Sequence, residues 1–261
     1  MKRILYIGLS LVLSLCANAI ERQKLNFNGG WHLCVGDFTG AGQTAFDDSR
    51  WQQVTLPFAF NGNEAFRKDI ADLTDTVAWY RKHFTLTAQD LQGKLFIEFE
   101  GARQGADVWL NGQTVGFSDN GVMAFGLDLT PYAKEGDNVI AVRCDNSWTY
   151  RDRTLDSRYQ WNDRNFNANY GGLPKSVWLH KTDRLYQTLP LYSNLGTTGT
   201  YIYATDFDIA GHKATIHAES QVRNEDTVAR TFALHVAVKD LDDSVLAVFD
   251  SQPATPARRP P

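Results

Sequence analysis

Short runs of alternating apolar and polar residues, separated by turn residues, recur along almost the whole chain. In residues 94–100 the alternation places Leu95, Ile97 and Phe99 on one face of a strand. Farther on, Asn111-Gly112 separates two apolar runs, and this pair strongly favours a two-residue hairpin turn. No long stretch of the sequence has the 3.6-residue period of an amphipathic helix. The pattern therefore predicts an all-β fold, and the close spacing of strands and turns favours a sandwich or a jelly roll.

A second unit of the same character begins near Tyr186. Residues 214–222 alternate with Ala214 and Ile216 on one face, and alternation resumes in residues 231–239 and 245–249. Apolar-in, polar-out strands of this kind are typical of an immunoglobulin-like sandwich, which needs about seven strands, whereas about four precede Ser251. A Pro/Arg-rich segment without strand character follows. We therefore expect a truncated immunoglobulin-like sandwich over residues 185–251, a disordered tail over residues 252–261, and a gene truncated or frame-shifted near this point.

The first residues have the features of a secretory signal peptide. Lys2 and Arg3 precede an apolar run over residues 4–15, and Ala17-Asn18-Ala19 fits an A-x-A cleavage pattern. The apolar run is too short for a permanent membrane span. We therefore predict a signal peptide over residues 1–19 and export to the periplasm or the extracellular space. Lipoprotein processing at Cys16 is the alternative, but Leu15 is bulkier than the small residue expected before such a cysteine.

Composition narrows the set of partners. The formal net charge is −4, so the chain lacks the basic surface that nucleic acids or anionic membranes require, and we expect neither partner after signal cleavage. The aromatic content of 12% suits either stacking on sugars or a large sandwich core. Cys34 and Cys144 lie in strand-like runs and are predicted to be buried free thiols rather than a disulfide. The 6 histidines show no local metal-binding spacing, so neither a metal nor a cofactor is predicted.

Motifs in a fixed order between Trp31 and His180 carry a resemblance to a known family. They are Val54-Thr55-Leu56-Pro57, Ala78-Trp79-Tyr80-Arg81-Lys82, Phe99-Glu100-Gly101-Ala102, Val108-Trp109-Leu110-Asn111-Gly112, Val115-Gly116, Phe125-Gly126-Leu127-Asp128-Leu129-Thr130, Gly136-Asp137-Asn138-Val139-Ile140-Ala141-Val142, Asp145-Asn146 and Asn169-Tyr170-Gly171-Gly172-Leu173-Pro174-Lys175-Ser176-Val177-Trp178-Leu179. In this order the motifs resemble the sugar-binding, galactose-binding-like domain of glycoside hydrolase family 2, which includes β-galactosidases, β-glucuronidases and β-mannosidases. The resemblance implies a galactose-binding-like jelly-roll sandwich over residues 20–184, followed by the family's immunoglobulin-like second domain.

One loop departs from the family pattern. Members often read Leu-Pro-His-Asp/Thr-Trp, whereas here Leu56-Pro57 is followed by Phe58-Ala59-Phe60. The polar residues of that loop are missing, which puts its contribution to a sugar site in doubt.

The resemblance also implies where catalysis should reside. Family 2 enzymes retain configuration, which requires two carboxylates about 5–5.5 Å apart. In the family both are glutamates on a (β/α)8 barrel, a fold of about 250 residues, and no βα alternation occurs in this sequence. Glu98 and Glu100 share one strand face and are interpreted as a solvated face rather than a catalytic pair. We therefore predict no catalytic residue and expect the chain alone to be inactive.

Residues 146–170 form the candidate sugar-contacting segment. The segment lacks Gly and Pro and is rich in Trp, Tyr, Arg and Asn, and loops of this length in compact domains are usually functional. The resemblance implies that an acidic residue just before the Asn-Tyr-x-Gly motif contacts substrate hydroxyls. The matching positions carry amides, which can both donate to and accept from hydroxyls. The candidate substrate-binding residues are Trp161, Asn165, Asn167 and Asn169; alternatively, the segment packs on the barrel and contacts no sugar.

These observations lead to one expected function and two alternatives. The chain is expected to be the N-terminal, non-catalytic part of an exported family 2 β-glycosidase of β-galactosidase type, with a carbohydrate β-glycoside as its partner. The first alternative is a free-standing carbohydrate-binding module. The second is a structural or adhesion β-protein with no sugar ligand.

Overall fold

The computed structural model of the chain describes residues 20–62, 75–147, 149–153, 156 and 170–257. The predicted signal peptide therefore lies outside the described residues. Within those ranges the chain forms eighteen strands and a single helical turn, and the prediction of an all-β fold is confirmed. Among the residues described, no helix combines the length and the apolar character that crossing a membrane requires.

The strands follow one another closely along the chain. They are β1 (Gln23–Asn26), β2 (Trp31–Val35), β3 (Gln52–Val54), β4 (Phe58–Ala59), β5 (Val77–Leu86), β6 (Lys94–Phe99), β7 (Gly105–Leu110), β8 (Gln113–Ser118), β9 (Phe125–Asp128), β10 (Gly136–Asp145), β11 (Gly172–Leu173), β12 (Val177–Thr182), β13 (Leu185–Gln187), β14 (Thr200–Asp208), β15 (Lys213–Ser220), β16 (Val222–Asn224), β17 (His235–Lys239) and β18 (Val245–Asp250), with α1 (Tyr192–Leu195) between β13 and β14.

The first unit is a sandwich of two antiparallel sheets. One sheet has the strand order β1-β12-β6-β9, and the other has the order β3-β2-β5-β10-β7-β8. The alternating apolar residues of both sheets face each other in one core, in which Trp31, Tyr80, Ile97, Phe99 and Val108 are fully buried. This arrangement is the jelly roll that the resemblance implies, because sequence neighbours such as β9 and β10 lie in different sheets.

The hairpin predicted at Asn111-Gly112 is confirmed. It joins β7 to β8, and both turn residues have positive φ, at 53° and 82°, as a type I′ turn requires. The Asn111 side chain also donates to Tyr132 O at 2.9 Å and accepts from Val139 N at 3.0 Å. The turn asparagine therefore also anchors the connection that leads into β10.

The outer face of the six-stranded sheet is covered by the loop between β2 and β3, residues 36–51. Aromatic rings from the loop and the sheet form a second apolar cluster there, including Trp79 and Trp109, stacked with centroids 5.1 Å apart. Inside the cluster, the fully buried guanidinium of Arg81 donates to Gln43 O at 3.0 Å and lies 3.2 Å from Asp48 Oδ2. The buried arginine thus satisfies loop carbonyls that water cannot reach.

The outer face of the four-stranded sheet differs from the prediction in one respect. Glu98 and Glu100 do share that face, but it is not simply solvated. Glu98 Oε2 lies 2.8 Å from His180 Nε2 and 3.2 Å from Lys24 Nζ, while Glu100 accepts from Trp178 Nε1 at 2.8 Å. The prediction of a solvated face was wrong because β12 and β1 place their donors opposite these carboxylates.

The second unit consists of three two-stranded antiparallel sheets. The pairs are β13-β16, β14-β15 and β17-β18, so residues 185–250 form six strands rather than the expected four or so. The predicted alternation is confirmed in β17, where Val236 and Val238 are half-buried between exposed neighbours. It is not found in β15, where Ile216 is exposed, or in β18, which is exposed along its whole length. Many apolar side chains remain exposed, among them Ile209 and Phe249. An isolated bridge joins Phe232 to Ala254, inside the segment for which the sequence predicts a disordered tail; the domain boundaries stay predictions.

A buried lysine connects the two units. Lys94 Nζ, at the start of β6, lies 2.6 Å from Asp128 Oδ2 and 2.7 Å from Glu225 Oε2, just after β16. Tyr186 OH donates to the other oxygen of Glu225 at 2.6 Å, and its ring packs against Phe96 at a centroid distance of 5.4 Å.

Cys34 and Cys144 are both free thiols, as predicted, although Cys34 is only half-buried.

Candidate functional site

The candidate site begins where β10 ends. Asp145, the last residue of β10, pairs with Val77, and the backbone N–H of the buried Asn146 donates to Thr76 O at 3.0 Å. The candidate segment 146–170 therefore leaves the sandwich beside the point where the chain enters β5.

The segment returns to the same rim of the sandwich. Gly171 N donates to the side-chain oxygen of Asn61 at 2.9 Å, and Gly172 exchanges two backbone hydrogen bonds of 2.9 Å with Arg103. Gly172 has a φ of 96°, and a β-carbon at this position would overlap the hydroxyl of Tyr80. The second glycine of the Asn-Tyr-Gly-Gly motif is therefore required both by its backbone conformation and by the close approach of Tyr80.

The outgoing end of the segment is capped by a carboxylate. Asp145 Oδ1 accepts from Ser147 N at 3.0 Å and from Ser147 Oγ at 2.6 Å, and Asp145 Oδ2 accepts from Arg143 at 3.2 Å. Arg143 also makes a bidentate contact with Asp37, at 3.0 and 2.7 Å. This hydrogen bonding lowers the pKa of Asp37 and raises that of Arg143, so both groups stay charged.

A second arginine anchors the first turn of the segment. Arg153 binds both oxygens of Asp107 on β7, at 2.6 and 2.9 Å, and its guanidinium lies 4.6 Å from the centroid of the Phe117 ring. Asp119 accepts from the backbone N–H of Arg153 at 3.0 Å and from the hydroxyl of Tyr150. Burial, followed by the neighbouring Asp119, raises the pKa of Tyr150, so its hydroxyl remains a donor.

These contacts determine what the rim can do chemically. Carboxylates 107, 119 and 145 are bound by arginine or tyrosine donors, so they orient the backbone. The rim therefore holds both described ends of the polar, aromatic segment 146–170.

The predicted substrate-binding residues Trp161, Asn165, Asn167 and Asn169 lie outside the described residues. The structure describes both ends of the segment that carries them. Sequence reasoning missed the Arg–Asp pairs of this base, since each partner is an ordinary charged residue on a polar strand face.

A two-sheet antiparallel jelly roll, with a long segment anchored at one rim and a strand-paired unit behind it, defines a galactose-binding-like sandwich domain. Residues 37–183 match the family described as glycosyl hydrolases family 2, sugar binding domain. The chain therefore belongs to glycosyl hydrolase family 2.

Similar proteins agree with this membership. A β-glucuronidase from Formosa agariphila is 36% identical over 250 residues, which cover 91% of this chain and 25% of that protein. The β-galactosidase BoGH2A from Bacteroides ovatus is 32% identical over 195 residues, or 72% of this chain and 20% of that protein. A solved β-glucuronidase of family 2 superposes with a TM-score of 0.80 at 33% identity, covering 91% of this chain and 25% of the other. The chain thus spans about a fifth to a quarter of the length of these relatives.

Proposed function

We propose that this chain is the N-terminal, non-catalytic part of an exported family 2 β-glycosidase, and that its segment 146–170 forms one wall of the sugar-binding pocket. The observation that carries the proposal is the anchoring of both ends of this segment at one rim. Charged pairs and buried hydrogen bonds hold these ends, whereas a loop without function needs no such base.

In this proposal, Trp161 stacks on a sugar ring and Asn165, Asn167 or Asn169 binds its hydroxyls. Amide groups suit this role because they pair with a hydroxyl as donor and as acceptor. In this proposal, the hydrolytic chemistry belongs to the family's (β/α)8 barrel rather than to residues 20–250.

Two substrate classes follow from different observations. The sequence favours the β-galactosidase type, in line with the name of the B. ovatus relative. The relative that covers 91% of the chain is a β-glucuronidase, so a β-glucuronide is the second candidate substrate.

The isolated chain provides the test. It should release no nitrophenol from either p-nitrophenyl β-galactoside or p-nitrophenyl β-glucuronide, because the proposal places the carboxylate pair for retention on the barrel domain. Release of nitrophenol by purified chain would contradict the proposal. Saturable binding of either glycoside that Trp161→Ala abolishes would favour the alternative, a free-standing carbohydrate-binding module.

Export has its own test. Mass spectrometry of the protein purified after expression with its own N-terminus should give a chain that starts at Ile20. An acylated chain that starts at Cys16 would show lipoprotein processing instead.

A further inference from the structure

Two histidines far apart in the sequence lie close together on the outer face of the six-stranded sheet. The pairing of β2 with β5 sets His32 opposite Arg81, and His83 is two residues farther along the same face. The imidazole centroids are 6.1 Å apart. A third polar group, the carboxylate of Asp48 on loop 36–51, lies between the two rings.

The distances around this carboxylate are those of a ligand set. Asp48 Oδ2 lies 3.3 Å from His32 Nδ1, and Asp48 Oδ1 lies 3.0 Å from His83 Nε2. The three ligand atoms all lie within 4.8 Å of one another. A tetrahedral ion with bonds of about 2.0 Å has ligands about 3.3 Å apart, so small side-chain shifts would close the site around an ion.

Two further features indicate a ligand. His32 Nδ1 is a buried atom that makes no hydrogen bond of good geometry with any described residue, although the carboxylate is near it. The side chains of His32 and His83 are 30% and 51% exposed, so an ion can reach the cluster from solvent. Buried polar atoms without a partner are uncommon in folded proteins and need an explanation.

The position of Asp48 is set before any ion arrives. Arg81 lies 3.2 Å from its carboxylate and also binds the loop carbonyls, so the loop holds the acid against the two rings. The loop thus presents the Asp48 carboxylate to both imidazoles, and a carboxylate is a ligand that Zn²⁺ accepts.

We propose that His32, Asp48 and His83 form a binding site for a borderline divalent cation such as Zn²⁺, with solvent completing the coordination. Two imidazoles and one carboxylate suit Zn²⁺, Ni²⁺ or Cu²⁺, whereas Ca²⁺ takes six to eight oxygen ligands. The charge of Arg81 offsets that of Asp48, so the imidazoles supply most of the affinity. The site ties loop 36–51 to strands β2 and β5.

Calorimetric titration of the full chain with ZnSO₄ at pH 7.5 tests the site. One Zn²⁺ per chain is expected, with affinity reduced at least about tenfold in both His32→Gln and His83→Gln. Titration with CaCl₂ should show no binding at this stoichiometry.

Matched controls come from the chain itself. His235 lies 2.7 Å from Asp250 but has no third ligand nearby among the described residues, so His235→Gln should leave Zn²⁺ binding unchanged. Cys34→Ser should also bind normally, which excludes the half-buried thiol.

Co²⁺ added to the unaltered chain offers a readout that does not depend on any variant folding. It should give visible d–d absorption without the charge-transfer band of a thiolate ligand. Absence of saturable binding, loss confined to one histidine variant, or loss in Cys34→Ser would each overturn the site.

Discussion

Replacing Lys94 with methionine removes the cation that lies between Asp128 on the first unit and Glu225 on the second. Methionine keeps most of the volume, so the change tests charge more than packing. Glu225 is only 13% exposed and cannot regain water, while Asp128 is 32% exposed and partly can. Breaking a buried pair costs about 3–5 kcal/mol, and we expect about 3 kcal/mol because one carboxylate is half-hydrated.

The assay is urea unfolding followed by tryptophan fluorescence at pH 7. Lys24→Met is the matched control, because Lys24 is 47% exposed beside Glu98 and such pairs contribute about 0–1 kcal/mol. In a double-mutant cycle with Glu225→Gln, the coupling free energy should be about 1–3 kcal/mol. Purely additive effects, or a loss for Lys94→Met no larger than that for Lys24→Met, would refute this account of the junction.

The free energy that the Lys94–Glu225 pair contributes depends on pH, and the pKa of Glu225 determines the direction of this dependence. Burial favours a higher pKa for Glu225, but hydrogen bonds from Lys94 and Tyr186 outweigh it and lower the pKa below its usual value. The stabilisation is therefore present above the unfolded pKa of about 4.3 and is lost as pH falls through the folded pKa. The cost of Lys94→Met should shrink below about pH 4 for this reason.

Three further predictions concern the rim and the sheets. Gly172→Ala should lower the free energy of unfolding by about 2–4 kcal/mol, because the backbone has a positive φ and the new β-carbon would overlap Tyr80. Gly136→Ala is the control: its φ is 81° but the space around it is open, so the loss should be about 1–2 kcal/mol. Equal losses of the two variants in urea unfolding would contradict the role of the overlap. Arg153→Lys should lose the bidentate contact and increase the rate of limited proteolysis within residues 146–170, and an unchanged rate would contradict the anchoring role. The hydrogen bond with His180 is the largest cause of the lowered pKa of Glu98, so Glu98→Gln should flatten the loss of stability between about pH 5 and pH 3; an unchanged slope would contradict it.

The features of the fold that the sequence predicted correctly are those that depend on residues close together in the chain. The Asn111-Gly112 turn and the alternation in β6 follow from backbone conformation and a two-residue period, both of which are visible within a few residues. The all-β fold follows from the same signals.

The parts that could not be predicted depend on strand order. Arg143 and Asp37 are 106 positions apart, and Arg153 and Asp107 are 46 apart, so no local spacing reveals that they meet. The same holds for His32 and His83, which only the β2-β5 register brings together. Their distance in the sequence is why a search for local metal-binding spacing predicted no site.

The candidate site was only partly predictable. Length and composition identified residues 146–170 as the candidate segment, since its aromatic and amide residues are conspicuous in sequence. The base that anchors its ends was not predicted, because Asp119 and Tyr150 acquire their roles through tertiary contacts.

The most direct test of the central claim is the KM of a chimaera. Residues 20–250 would replace the matching quarter of the F. agariphila β-glucuronidase, and hydrolysis of p-nitrophenyl β-glycosides would be measured. Asn165, Asn167 and Asn169 would each be replaced by alanine, and KM should rise about fivefold wherever the asparagine binds a sugar hydroxyl, the effect of losing roughly one neutral hydrogen bond. Trp161→Ala should raise KM by a similar factor through the loss of ring stacking. Gln113→Ala, at an exposed position of strand β8, should leave KM unchanged. An unchanged KM in all four alanine variants would contradict the claim that this segment forms a wall of the sugar pocket.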